Sequence, residues 1–167
     1  YERMETKGIQ MDRITYNTLF ATFSKSRLPF GLNKAELILR SMEESTNFTT
    51  TKKNYSTILY GWIRIQELER ASILMLRRLA ACHHNANLQP TSAEFHSIVT
   101  AWIDRWNLVK ATDFALDAQR KCDELNLKGG PDSDTFAMLR EKWIRANHSD
   151  KETFVAKIDN CALSFEK

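Results

Sequence analysis

A triplet of apolar residues recurs four times along the chain at nearly constant spacing. In the first copy an aromatic residue, an aliphatic residue three positions later and an aromatic residue seven positions later are Tyr16, Leu19 and Phe23. The later copies lie 39, 40 and 41 residues further on in turn, and they are Tyr55/Ile58/Trp62, Phe95/Ile98/Trp102 and Phe136/Leu139/Trp143. Residues with this spacing share one face of an α-helix. A fixed period of roughly 20–50 residues predicts a stack of repeated helical units.

A small residue follows each of the first three triplets at a similar distance. Ala71 and Ala111 lie 16 residues after Tyr55 and Phe95, whereas Ala35 lies 19 residues after Tyr16. Each alanine opens a second apolar segment, and a small side chain lets two helices cross closely. The pattern predicts a helical hairpin in each repeat, with an enlarged turn over residues 26–31 of the first one. Neither helix of such a hairpin can bury its apolar face without a neighbour.

The fold class predicted from this pattern is all-α, with eight helices arranged as about 3.5–4 helix-turn-helix repeats in one contiguous segment, residues 1–167. Residues 1–12 are predicted to end a preceding repeat. Repeats are predicted over 13–51, 52–91 and 92–132, and residues 133–167 are predicted to form a partial or capping repeat. Because the chain begins without methionine and residues 1–7 have the pattern of a helix end, we expect a segment of a longer protein, with any targeting peptide upstream.

Composition narrows the function classes. The net charge of +3 is compatible with a nucleic-acid partner but does not require one. No apolar run approaches the ~18 residues needed to span a bilayer. The cysteines Cys82, Cys122 and Cys161 are odd in number, form no Cys-x-x-Cys pair and follow the repeat period, so we expect packing residues rather than disulfides or a metal site. The sequence has no nucleophile motif, metal-ligand spacing or phosphate loop, so we expect no enzyme activity and no cofactor.

Four stretches resemble pentatricopeptide repeats, the helical-hairpin modules of organellar RNA-binding proteins. They are Gly8–Leu19 (GIQMDRITYNTL), Ala35–Met42 (AELILRSM), Leu88–Phe95 (LQPTSAEF) and Gly130–Phe136 (GPDSDTF). The resemblance covers nearly the whole chain and is most specific in the first copy. It implies a right-handed α-solenoid that binds single-stranded RNA in the processing, stability or translation of RNA in a mitochondrion or chloroplast. The alternative is a scaffold for protein–protein interaction in an organellar complex such as a ribosome-associated assembly.

The resemblance also implies positions for RNA contact. In the family, the residue after the first aromatic and the last residue of the repeat together read one base. The corresponding pairs here are Asn17 with Thr51, Ser56 with Thr91, and His96 with Asp132, while the fourth copy offers Ala137, which cannot read a base edge. Ile14 occupies the position of an aliphatic side chain that clamps the base.

Basic residues occupy three of the four positions where the family contacts phosphate. These positions hold Lys25, Arg64 and Arg145, and the exception is Asp104. The structural alternative is that the three cations are solvated charges at helix ends, favoured there by the helix dipole. The aromatic triplets are interpreted as hairpin core rather than as base-stacking platforms.

Overall fold

The computed structural model describes residues 13–45 and 49–162, and this part of the chain contains eight α-helices, one short 3₁₀-helix and no β-strand. The helices are α1 (Arg13–Ser24), α2 (Pro29–Glu44), α3 (Lys52–Arg64), α4 (Leu68–Cys82), α5 (Ser92–Asp104), α6 (Leu108–Glu124), α7 (Ser133–Arg145) and α8 (Lys151–Ala162), and the 3₁₀-helix is Ala86–Leu88. The predicted all-α class is therefore confirmed. The chain forms two compact units that divide between Ile65 and Gln66. The prediction for residues 1–12 lies outside the described residues.

The first unit contains α1, α2 and α3, and α2 packs against both of the others. Helix α2 begins at Pro29, which lies inside the enlarged turn predicted over residues 26–31. Proline suits the first turn of a helix because its φ is preset and its missing N–H is not needed there. Gly31 is required close behind it, since a Cβ at this position would lie 2.2 Å from the Cβ of Ser26. The long turn is therefore partly converted into an extra helical turn.

The core of the first unit is built around the second triplet. Tyr55, Ile58 and Trp62 are all buried. The indole Nε1 of Trp62 donates to Glu36 of α2 at 3.2 Å, so the polar edge of this buried ring has a partner. Helices α2 and α3 approach closely at Gly61, where a Cβ would lie 2.5 Å from a methyl group of Leu32.

The first triplet is less buried than the others. Tyr16, Leu19 and Phe23 are half-buried, and Phe20 is the buried aromatic residue of α1. Within the described residues α1 packs chiefly on one helix, α2, so part of its apolar face stays accessible. The interpretation of the triplets as core holds fully for the second, third and fourth copies and partly for the first.

The second unit contains α4 to α8. Its closest helix pairs are α5 with α6 and α7 with α8, and α4 packs against α5 and α6. The third and fourth triplets are buried here, and Trp143 stacks on Phe154 of α8 with ring centroids 4.6 Å apart. Ala71 and Ala111 are fully buried, as their positions at the start of second helices predict.

A buried ion pair joins α4 to the start of α5. Arg78 is 1% exposed, and its Nη1 donates to Glu94 Oε1 at 2.8 Å. Its Nε donates to the Leu88 carbonyl at 2.6 Å, and its Nη2 donates to the Gln89 carbonyl at 3.3 Å. Arg78 thereby supplies hydrogen bonds to backbone carbonyls of the link that precedes α5. These bonds and the ion pair compensate the burial of its charge, which is unfavourable without them.

The three cysteines are free thiols. Cys82 and Cys122 are buried and Cys161 is half-buried. Burial raises the pKa of all three, that of Cys122 to about 12, so they are protonated packing residues at neutral pH. No described helix is long and apolar enough to cross a membrane.

Candidate nucleic-acid interface

An exposed stripe formed by α1 and Lys25, the residue that follows it, carries three of the predicted RNA contacts. Ile14, Asn17 and Lys25 line a shallow open depression of about 640 Å³, together with Thr18, Ala21 and Thr22. Ile14 is 75% exposed, although it is a large aliphatic residue on a regular helix. The hydroxyl of Thr18 donates to the Ile14 carbonyl at 2.8 Å, so it is turned toward the helix backbone. The exposed Asn17 amide is the polar group of this stripe best suited to pair with a ligand.

The last residues of the predicted repeats are helix caps. Thr51 forms a capping box with Asn54 at the start of α3, and Thr91 forms one with Glu94 at the start of α5. Asp132 accepts from the backbone N–H of Thr135 at 2.9 Å at the start of α7. All three side chains therefore satisfy N–H groups that have no partner inside the helix.

His96 and Asp132, a predicted pair, are linked through Thr135. The Thr135 hydroxyl donates to Asp132 Oδ1 at 2.6 Å and lies 3.1 Å from Nδ1 of His96. The hydrogen bond from this hydroxyl, more than any other interaction, lowers the pKa of Asp132, which is therefore ionised at neutral pH. Because a hydroxyl has one proton and the carboxylate receives it, Nδ1 of His96 must donate to Thr135. In the neutral ring this leaves the lone pair on Nε2.

The remaining predicted base reader, Ser56, is half-buried. Its hydroxyl donates to the Lys52 carbonyl at 2.9 Å, one turn earlier in α3. Its predicted partner Thr91 belongs to the other compact unit.

The predicted phosphate contacts are exposed and lie at helix ends. Lys25 follows the last residue of α1, whereas Arg64 and Arg145 are the last residues of α3 and α7. Arg64 donates to the Ser26 carbonyl at 2.9 Å, and Arg145 pairs with Glu141 at 2.6 Å. Each guanidinium has further donors, since arginine carries five N–H groups.

The second unit contains a cleft that the sequence does not predict. It has a volume of about 840 Å³ and lies between the α5–α6 turn and the end of α7. The lining includes the exposed Trp106 and the polar residues Asp104, Asn107, Lys142, Arg145, Asn147 and His148. Trp143 forms part of the wall, and the ring of His148 meets it edge-on with centroids 5.4 Å apart.

Trp106 holds the left-handed position of a helix C-cap. Its φ is +58°, its N–H donates to the Ile103 carbonyl at 2.8 Å, and the N–H of Asn107 donates to the Trp102 carbonyl at 3.0 Å. This is the Schellman hydrogen-bond pattern, whose left-handed residue is usually glycine and sometimes asparagine. Helix α6 ends in the same pattern with Asn126 at φ +50°. The sequence signal for such a turn is weak when tryptophan replaces glycine, so the sequence alone does not predict the turn at Trp106.

The described residues contain no group of three or more His, Cys, Asp or Glu side chains that could hold a metal ion. No protein-family model matches the sequence, and no curated protein matches it significantly.

Proposed function

We propose that this chain is a segment of a right-handed α-solenoid of pentatricopeptide-like repeats that binds single-stranded RNA. The observation that carries the proposal is the stripe of Ile14 and Asn17 on α1 with Lys25 directly after it. The family resemblance assigns these residues three different contacts with one nucleotide, and all three line the same accessible depression.

The chemistry of the stripe suits a nucleotide. The exposed aliphatic side chain of Ile14 offers an apolar surface for the flat face of a base. The Asn17 amide both donates and accepts, so it can pair with a base edge, and the Lys25 ammonium neutralises a phosphate. Ile14 and Lys25 are separated by about 16 Å along the helix, at 1.5 Å per residue. That length accommodates a base at one end and the sugar–phosphate backbone toward the other.

The later repeats support weaker and less selective binding. Thr51, Thr91 and Asp132 use their side-chain oxygens to cap helices, which leaves fewer free lone pairs for a base. His96 offers Nε2 as an acceptor for an exocyclic amine or ring N–H of a base. We therefore expect modest affinity with a strong dependence on salt, since most of the binding free energy comes from phosphate contacts.

The test is fluorescence anisotropy of the whole chain with short single-stranded RNAs across a salt series. The Lys25→Ala/Arg64→Ala/Arg145→Ala variant should bind much more weakly and show a salt slope reduced by about 2, since each phosphate contact contributes roughly 0.7. A matched control, Lys52→Ala/Arg120→Ala/Lys157→Ala, removes three exposed cations elsewhere. Equal losses in both variants would indicate diffuse charge attraction, and no binding at low salt would refute the proposal.

Base contact is tested separately from phosphate contact. Asn17→Ala should change the preference among homopolymeric RNAs with little change in the salt slope, whereas Lys25→Ala should weaken all of them together. An Asn17→Ala variant with unaltered preference would exclude base reading at α1.

An apolar surface on the first unit favours a second candidate function, a protein-binding scaffold in a mitochondrial or chloroplast assembly. Leu28 and Phe30 are each 68% exposed, and Leu37 is 48% exposed on the same helix as Phe30. Exposed apolar residues that cluster mark protein contacts more often than RNA contacts. Under this alternative, Leu28→Ser/Phe30→Ser would release the protein from high-mass organellar complexes in co-sedimentation, and the triple charge variant would remain bound.

A further inference from the structure

Trp106 is the exposed tryptophan of the described chain, and neither packing nor capping explains it. Trp62, Trp102 and Trp143 are buried, whereas Trp106 is 95% exposed. Its left-handed backbone disfavours a residue with a bulky side chain, because the Cβ approaches the following carbonyl oxygen. Glycine would fit the C-cap better and would leave no large apolar ring in water. The position therefore leaves a large aromatic face accessible to a ligand.

Two cationic side chains line the cleft beside this ring, and one of them, Arg145, also pairs with Glu141 at 2.6 Å. Lys142 and Arg145 are three residues apart on α7 and both line it, so their side chains lie on the same side of that helix. Asp104 is the carboxylate among the lining residues, and Asn147 adds an amide that donates and accepts. An aromatic face, two cations and a few hydrogen-bonding groups form the combination that binds single-stranded nucleic acid by stacking and charge.

We infer that this cleft binds one nucleotide of a single-stranded RNA, with its base stacked on Trp106 and its phosphate beside Lys142 and Arg145. The inference rests on the proposed function, in which Arg145 already contacts phosphate, and adds the contacts of Trp106 and Lys142, which the family resemblance does not assign. The cleft is at the C-terminal end of α7, whereas Asp132 caps the N-terminal end. The two positions are about 20 Å apart along the helix, at 1.5 Å per residue.

RNA fits this cleft better than a peptide does. An acidic peptide would pair with Lys142 and Arg145 but would leave the indole face exposed. An apolar peptide would cover the indole but would offer no anion to Lys142, or to the donors of Arg145 that its pair with Glu141 leaves over, and it would remove water from both cations, which is unfavourable. A nucleotide can both cover the indole and pair with the cations, since its base is flat and apolar on its faces and its phosphate is an anion.

The exposure of one tryptophan provides a direct assay. Acrylamide quenches accessible indoles, so in the free protein the quenchable fluorescence should come from Trp106, with the three buried rings protected. Titration with an eight-nucleotide oligouridylate and an eight-nucleotide oligoadenylate should quench this emission and protect it from acrylamide. In Trp106→Phe, both the quenching by RNA and the acrylamide-sensitive emission should be absent.

Affinity is measured in parallel by anisotropy of labelled RNA. Trp106→Ala should weaken binding by about 5- to 150-fold, the range for loss of one stacked base, and Trp106→Phe should recover part of it. Lys142→Ala should weaken binding, and Asp104→Asn should tighten it because a repelling carboxylate is removed. Lys157→Ala, an exposed lysine of α8, is the matched control and should bind like the unmodified protein.

The possible failures can be told apart. If RNA binds while Trp106 stays accessible to acrylamide and Trp106→Ala binds normally, the cleft is not an RNA site, although the proposed function stands. If no RNA binds at low salt, both proposals fail. If circular dichroism shows that Trp106→Ala is unfolded, the decision passes to Trp106→Phe and Lys142→Ala, and normal RNA affinity in both would overturn the inference.

Discussion

Replacing Arg78 with methionine should destabilise the second unit more than any surface charge change. Methionine keeps most of the aliphatic stem but has no donor. Glu94, whose side chain is 4% exposed, would keep its charge and the Thr91 N–H at 2.9 Å but would lose the guanidinium that lies 2.8 Å from its Oε1. The carbonyls of Leu88 and Gln89 would lose the donors that they have at 2.6 and 3.3 Å.

The expected loss is about 3–5 kcal/mol in the free energy of unfolding, the range for removing one member of a buried ion pair. Domains are stabilised by only about 5–15 kcal/mol, so this is a large share. Adding Glu94→Gln to Arg78→Met removes the buried negative charge that has lost its guanidinium. The glutamine oxygen can still accept from the Thr91 N–H, which donates to Glu94 at 2.9 Å. The double variant should therefore lose less, about 1–3 kcal/mol, because only neutral hydrogen bonds are then unmade.

Urea denaturation followed by far-ultraviolet circular dichroism measures these differences, with the m-value compared to verify that the transition is unchanged. Arg120→Met is the control, since Arg120 makes an exposed pair with Asp117 on α6 and should cost less than about 0.5 kcal/mol. A loss below about 1 kcal/mol for Arg78→Met would refute the reasoning. A double variant less stable than Arg78→Met would show that the charge of Glu94 is not the main penalty.

Two further predictions concern titratable groups. Asp132→Ala should lower the free energy of unfolding by about 0.5–2 kcal/mol through loss of the α7 cap, and Asp132→Asn should lose less. Because the pKa of Asp132 is lowered in the folded state, its contribution is present above the ordinary pKa near 4 and is lost as the pH falls through the lower folded value. Denaturation midpoints between pH 2 and 7 should show this slope in the unmodified protein, and an equal slope in Asp132→Asn would contradict it. Burial raises the pKa of Cys122 to about 12, so a thiol reagent at pH 8 should modify this residue only after unfolding. The free energy of unfolding should decline as the pH rises from the ordinary thiol value near 9 toward 12, and Cys122→Ala should flatten that decline. Because Cys161 is half-buried, the modified residue is identified by peptide mass mapping, and rapid modification of Cys122 in the native protein would rule out the buried, protonated thiol.

The sequence predicted the helices because their determinants are local. The triplet spacing predicts α3, α5 and α7, and the Thr-x-x-Glu spacing of Thr91 and Glu94 in the sequence is that of the capping box at the start of α5. The start of α2 differs from the prediction because Pro29 fits both a turn and the first turn of a helix, and the sequence does not distinguish the two.

The candidate site was less predictable because its contacts join distant parts of the chain. Ile14, Asn17 and Lys25 were expected from the resemblance as contact positions, and they line one depression along α1 and the residue after it. The hydrogen bonds from His96 to Thr135 and from Thr135 to Asp132 depend on how α5 packs against α7, which periodicity does not specify. Trp106 was missed because its backbone conformation is one that tryptophan rarely adopts.

If the proposed function is correct, the helix caps at Thr51, Thr91 and Asp132 limit how an RNA preference of the chain can change. Under the proposed function, each of these residues would face two demands, to start a helix and to contact a base. The residues that meet the first demand well are Ser, Thr, Asp and Asn, and all four also hydrogen-bond to bases. Exchange within this set would alter base recognition with little loss of folding stability. A larger or apolar residue would remove the hydrogen bond that caps the helix N-terminus. The need to cap a helix therefore restricts the last position of such repeats to a few residue types.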